Sequence, residues 1–307
     1  MPQPEYSKSH FKIIGYSNQK MEAMVRPNVT YGQDAWRRLK QNKVAMASMG
    51  ILAAIIAICI FGPILSPFKF DVQDYEILDK ASFGWHWFGT DNLGRDLFVR
   101  LCAGGQVSLT IGFVGTLIEL LIGCTYGGIS GYFGGAVDTV MMRIVEIIVS
   151  VPYLIVVILL LLWLPAGELT IIIALCITGW TGIARLIRGQ VLQLKESEYI
   201  LAARALGASS ARIIFKHLIP NTIGIILVYM SMDIPAFIFN EAFLSFLGLG
   251  IQPPQASWGA LIFTGQGQMQ YHFHEFIFPA LAISLTILTF NLLGDGLRDA
   301  LDPKFRQ

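Results

Sequence analysis

The sequence predicts an all-α polytopic membrane protein with six transmembrane helices, on three observations. Hydrophobic residues make up 54% of the 307, charged residues only 14%, and mean hydropathy is +0.59. An ordinary soluble domain carries about 25% charged residues. Six apolar runs meet or approach the roughly 20 residues that a helix needs to cross hydrocarbon. These runs are continuous rather than alternating. That selects helices over closed barrels, the only two structures that satisfy backbone polar groups in lipid.

Residues 1–43 form a polar segment expected on the cytoplasmic side, too long and polar for a secretory leader. No small-residue cleavage site precedes Pro63 and Pro67, so the first apolar run, Val44 to Leu65, is expected to stay as an anchor. A polar external loop of residues 66–106 follows, and then a core of five spans over residues 107–298. Val107 to Ser130 carries only Glu119, and Ile144 to Leu164 only Glu146. Leu169 to Ala184 is short, so Arg185 and Arg188 are expected to snorkel to one headgroup layer while Glu168 marks the other. The fifth span lies within Asn221 to Leu247, interrupted by Asp233, Pro235 and Glu241, and the sixth is Phe276 to Gly294. Residues 299–307 form a polar cytoplasmic tail. Pro152 and Pro235 are expected to free carbonyls and bend their helices.

With both termini in the cytoplasm, 18 of the 22 Lys and Arg residues fall inside, including Lys8, Lys12, Lys20, Arg26, Lys304 and Arg306. Only Lys69, Lys80, Arg95 and Arg100 stay outside, which satisfies the positive-inside rule. Cys59, Cys102, Cys124 and Cys176 lie in or beside spans with no framework spacing, as buried thiols do.

The inside loop of residues 189–220 carries the strongest signal. Gln190 to Leu206 is rich in helix formers, Gly207 supports the positive φ that ends a helix, and Ser209 or Ser210 can cap a second helix over Ala211 to Leu218. Pro220 then forces a restart at the membrane entrance. A helix-turn-helix projecting from the membrane results. Small residues at 202, 203, 205 and 208 let a partner's surface approach closely.

Several other features have bland and sharp meanings. Gly123, Gly127, Gly131 and Gly135 recur every four residues, as a close-packing face does. Glu119 and Asp233 sit near the middle of their spans, where a carboxylate must face protein or water. Bonding across helices is the commoner role; binding a solute's amino group is the alternative. Glu146 and Glu241, nearer the surfaces, are expected to be structural; His272, His274 and Glu275 form a small external cluster with some metal-ligand character, although solvated loop histidines are commoner. Phe237, Phe239, Phe243 and Phe246 form ordinary packing surface.

The stretch from Glu198 through Ala202, Ala203, Arg204, Gly207 and Ala208 to Pro220 resembles the EAA coupling loop of ABC importer permeases. Leu201, His217 and Ile219 depart from that pattern in the manner of the peptide and nickel branch. Three further stretches are similar to that branch: Phe88 to Asp96, Gly131 to Asp138 with Met142 and Arg143, and Glu241 to Pro254 running on to Ser257-Trp258-Gly259. The long first external loop and the additional first span resemble the C-type inner-membrane permeases of dipeptide and oligopeptide transporters.

The resemblance implies a type I ABC importer permease fold and a non-catalytic subunit of the bacterial or archaeal cytoplasmic (inner) membrane. A second homologous permease, two cytoplasmic ABC ATPases, an external solute-binding protein and membrane lipid are the implied partners; nucleic acid is not one. The sequence has no phosphate-binding Gly-x-x-x-x-Gly-Lys-Ser/Thr loop, so ATP and Mg are expected in the partner ATPases and no cofactor in this chain. The resemblance also implies di- or oligopeptides as solute. Nickel chelates, glutathione or cell-wall peptides are the alternatives within the branch. A secondary transporter is more remote, since paired broken helices in inverted halves are not evident, and no intramembrane catalytic constellation stands out.

Overall fold

The computed structural model describes residues 31–165 and 167–301. Lys8, Lys12, Lys20, Arg26, Lys304 and Arg306 lie outside the described residues. Among those described the backbone is helical, and two isolated bridges, Phe83 with His86 and Thr90 with Asp96, pin the connection after the first span.

Helix α1 (Tyr31–Gln41) precedes α2 (Lys43–Leu65). Asn42 separates them, its side-chain oxygen accepting from the amides of Val44 and Ala45 at 3.1 Å each, which caps α2. Helix α3 (Leu97–Phe133) starts well before Val107, because the Asp96 carboxylate caps it by accepting from the Val99 amide at 2.8 Å. The connection expected to be external is therefore residues 66–96 rather than 66–106. Arg100 and the small and polar residues 104–106 lower local hydropathy, yet Gly104 and Gly105 are where the backbone of α3 meets Ser257 and Trp258.

The third span is a corner. Helices α4 (Gly135–Ser150) and α5 (Tyr153–Trp163) meet at 79°, across Val151 and Pro152, where proline ends the hydrogen-bond ladder. Pro235, by contrast, is buried within α10 (Ile223–Phe246) and does not end it. Helix α6 (Glu168–Leu194) runs past the apolar stretch that the sequence marks. The remaining helices are α7 (Glu198–Ala205), α8 (Ser210–Arg212), α9 (Ile219–Asn221), α11 (Trp258–Gln268) and α12 (Phe273–Leu301), which extends into the segment expected as tail. Among the described residues five helices are long and apolar enough to cross a membrane, and the bent α4–α5 pair brings the number to six when it is counted as one span.

Helix α11 is one that the sequence did not single out. It packs against α10, α12 and α3, with Ser257 as its cap and Trp258 buried, the indole donating to the Leu101 carbonyl at 2.9 Å. Glu241 fixes the same region. It is 0% exposed and receives hydrogen bonds from Ser108 at 2.9 Å and Ser245 at 2.8 Å, so the structural role expected for it has definite donors. Glu146 instead pairs with Arg143 at 2.7 Å on an exposed face.

The tightest helix pairing is between α3 and α6. A Cβ on Gly123 would lie 2.8 Å from the Trp180 carbonyl oxygen, and one on Gly131 would lie 2.9 Å from that of Arg188. Gly127 similarly faces the Ala184 carbonyl. Gly135 does not belong to this stripe: it has no atom within 4 Å of a Cβ position and lies beyond the turn at Gly134, where the four-residue spacing no longer follows one helix.

Candidate functional site

Two places bring together the residues that the sequence singles out: the arm after α6, and a cavity at mid-bundle.

The arm is built from α7, the turn at Gly207 and α8. It begins later than the composition suggests, because the chain breaks at Lys195–Ser197; Ser197 Oγ donates to the Leu194 carbonyl at 2.5 Å, and Lys195 Nζ reaches the Gly131 carbonyl at 3.1 Å. At the other end of α7 the Gly207 amide donates to the Arg204 carbonyl and the Ala208 amide to that of Ala203, both at 3.0 Å. This pair of bonds with φ +80° at Gly207 is a Schellman termination. Ser209 then caps α8, accepting from the Arg212 amide at 3.4 Å.

Ile213–Leu218 is wound as a π-helix, wider than an α-helix, and runs directly into α9. Pro220 consequently does not restart the chain as the sequence suggests. The wide turn relieves the clash that a proline ring makes with the carbonyl four residues back, and the interruption falls at Thr222 instead. Ile213, Ile214 and Leu218 bury in one cluster with Ile200, Ile187 and Val191, so the root of the arm is solid.

Its outer surface is open. Glu198, Ala202, Arg204, Gly207 and Pro220 are exposed or half-buried, as are Ala203 and Ala208 on either side of the turn. Leu206, at 88% exposure, and Leu201, Tyr199 and Phe215 are bare apolar residues on the same arm. Sequence inspection names the small residues and passes over these. The available signal is Leu201 standing where an acid is usual, and a leucine directly before the turn glycine.

Asp138 ties the arm's root to the α3–α4 corner. Arg188 donates to it from Nε and an Nη, each at 2.5 Å, and Ser130 Oγ donates at 2.5 Å. Arg188 is therefore a bidentate partner, not the snorkelling cation expected, because α4 folds back to place a carboxylate beside it. Arg204 adds a cation–π contact, 5.5 Å from the Tyr132 ring centre. Asp138→Asn should cost about 1 kcal/mol of stability, the partial exposure of the pair limiting the effect. Thermal unfolding of the purified permease checks this; an unchanged midpoint would show the pair to be idle.

The cavity, of about 210 Å³, is lined by Glu119, Tyr153, Leu175, Thr178, Gly179, Asp233, Ala236, Phe237 and Asn240. Glu119 from α3 and Asp233 from α10 point their carboxyl groups at one another. Gly179 on α6 makes room for the Glu119 carboxyl group, since a Cβ there would fall on it. Phe237 is buried against Gly115, while Phe239, Phe243 and Phe246 face outward.

At the far end, Asp91 accepts from Arg95 Nε at 2.8 Å and lies 3.4 Å from Arg100 Nε, and His86 pairs with Asp96 at 2.7 Å. The acidic and basic residues of the external motif thus form a knot that starts α3. His272 lies 4.0 Å from Asp79, and His274 Nε2 is 3.4 Å from the Thr90 carbonyl oxygen, so these histidines border the same loop. Glu275 is buried, because Gly265 brings the backbone of α11 directly against its own.

The profile described as "Binding-protein-dependent transport system inner membrane component" matches residues 123–307, and that of the "N-terminal TM domain of oligopeptide transport permease C" matches residues 30–82. The chain is 50% identical over 298 residues to the dipeptide transport system permease protein DppC of Bacillus subtilis (strain 168), covering 97% of this chain and 93% of that protein. It is 42% identical over 302 residues to the oligopeptide transport system permease protein OppC of Escherichia coli (strain K12), covering 98% and 99%. The glutathione transport system permease protein GsiD of Pectobacterium atrosepticum is 40% identical over 275 residues, covering 89% of this chain and 91% of that protein. Among solved structures, a chain of the MetNI methionine ABC transporter in an inward-facing conformation shares the fold with TM-score 0.51 and 20% identity, over 66% of this chain and 96% of that one.

Proposed function

The chain belongs to the inner membrane components of binding-protein-dependent transport systems, and from that premise we propose that it forms half of a translocation pathway for di- or oligopeptides. Relatives named for dipeptides, oligopeptides and glutathione, itself a tripeptide, support that solute class. The chain is the non-catalytic member of the assembly. ATP is hydrolysed on two separate ATPase subunits, a second permease completes the pathway, and an external binding protein delivers the solute at the outer face of the inner membrane. Both termini and the arm lie on the cytoplasmic side.

One observation carries the mechanism: a rigidly rooted helix-turn-helix that leaves Leu206 and its apolar neighbours uncovered. Bare leucine at a water-facing tip marks a docking surface. The arm from Glu198 through Ala202, Ala203, Arg204, Gly207 and Ala208 seats in a groove on an ATPase. Pro220 and the wide turn before it lead the motion into α10. A partner can shift the membrane helices only as far as its contacts differ between its two nucleotide states. Asp138, Arg188 and Lys195 make the arm and the α3–α4 corner move together. The cavity with Glu119 and Asp233 belongs to the pathway.

The test is crosslinking in the assembled transporter. A cysteine at Ala208, or at Ala203, should capture an ATPase subunit with a short bifunctional reagent, with a yield that changes between nucleotide-free and ATP-trapped states. Capture of no ATPase in either state would sink the proposal.

A further inference from the structure

We infer that the Glu119–Asp233 cavity binds a protonated amine carried by the solute, with the two carboxyl groups as its counter-charge. The inference deepens the peptide-permease proposal and rests on it. Its basis is the contrast between three acids at membrane depth. Glu241 is fully enclosed and receives serine hydroxyls, which explains its presence without any ligand. Glu119 is 2% exposed and lines a cavity, where its carboxyl group meets that of Asp233. Asp233 is half-buried, with Glu119 and Thr116 beside its carboxyl group and its Oδ2 enclosed without a close hydrogen-bond partner among the described residues.

A proton shared between the two carboxyl groups satisfies only part of this pair, since a carboxylate at membrane depth requires a cation or a set of donors. No Lys, Arg or His lines this cavity among the described residues. The space is nevertheless built. Gly179 gives the Glu119 carboxyl group its seat at the cavity's edge, and Phe237 and Leu175 provide apolar walls. Thr178, Asn240 and Tyr153 add a hydroxyl, an amide and a phenol at the edge, suited to the carbonyl and amide that follow a peptide's first ammonium group. Asp233 stands near the middle of α10 and Glu119 just past the middle of α3, which puts the site near the bilayer centre. A volume of about 210 Å³ admits an amino end rather than a whole peptide.

The experiment uses the complete transporter in lipid nanodiscs, without the binding protein, and equilibrium dialysis of labelled tri-alanine and its desamino analogue, propionyl-dialanine. Tri-alanine should bind at least tenfold more tightly than the analogue. Glu119→Gln and Asp233→Asn should each remove most of that difference, leaving the analogue's weak binding as it was. Glu119→Asp, which keeps the charge and shortens its reach, should fall between; it also supplies the result if a neutral variant does not assemble. Equal binding of the two probes by the unaltered transporter, no binding of either, or equal losses of both in the variants would overturn the inference. ATP-driven uptake of tri-alanine with the binding protein present is measured separately. Its absence would sink the permease proposal, whereas uptake without amine discrimination sinks only the site.

Discussion

Replacing Gly207 with valine is expected to cut ATP-driven uptake more than tenfold while the permease remains folded in the membrane. The glycine holds φ +80°, which an L-residue adopts at a cost of about 1–2 kcal/mol and a β-branched one with still greater strain. It also sits where two amides turn back onto the carbonyls of Ala203 and Arg204. Relaxing the strain redirects α8 relative to α7 and displaces Leu206 from the ATPase groove proposed for it. Each 1.4 kcal/mol lost from the coupled state lowers its population about tenfold. No atom lies within 4 Å of the added Cβ, so the damage stays in the arm and spares the bundle. Gly207→Asn, whose residue type tolerates this backbone region, should retain much of the transport. Wild-type uptake by the valine variant in proteoliposomes would rule out a role for the elbow.

A second substitution acts on the bundle itself. Gly127→Leu should prevent accumulation of the assembled permease, because the added side chain meets the Ala184 carbonyl and lies 3.0 Å from the Arg188 amide nitrogen, measured from the Cβ alone. Overpacking an ordinary core costs about 1–3 kcal/mol when neighbouring side chains can shift. Here the obstacle is main chain in the middle of α6, so α3 and α6 must separate along much of their length. Membrane yield and monodispersity after detergent extraction give the measurement; a well-behaved Gly127→Leu variant at normal yield would contradict this packing. Gly50→Leu, within α2 with open space around it and ordinary helical backbone, is the matched control.

The crossings were legible because hydropathy reports burial in lipid directly, and the first span falls within a residue of its expected limits. Where polar residues are buried by protein rather than excluded from lipid, the same signal misleads. Arg100 and Asp96 look like loop residues, yet both are buried at the start of α3. Arg188 looks like a snorkelling cation until α4 turns back and presents Asp138. Gly207 was readable because its chemistry is local, whereas the wide winding of Ile213–Leu218, which lets Pro220 sit in a helix, has no local signature. The meeting of Glu119 with Asp233 depends on how α3 packs on α10, and neither segment encodes that alone.

The corner in the third span bears on how water reaches the middle of the membrane. Helix α5 has 11 residues, hence a length of about 16 Å against about 30 Å of hydrocarbon. Its first residue, Tyr153, ends up beside the facing acids, while α4 departs at 79° instead of continuing along their flank. A straight rod would have sealed that side with aliphatic side chains. The abrupt turn leaves a lateral opening on that side instead, and the facing acids border it.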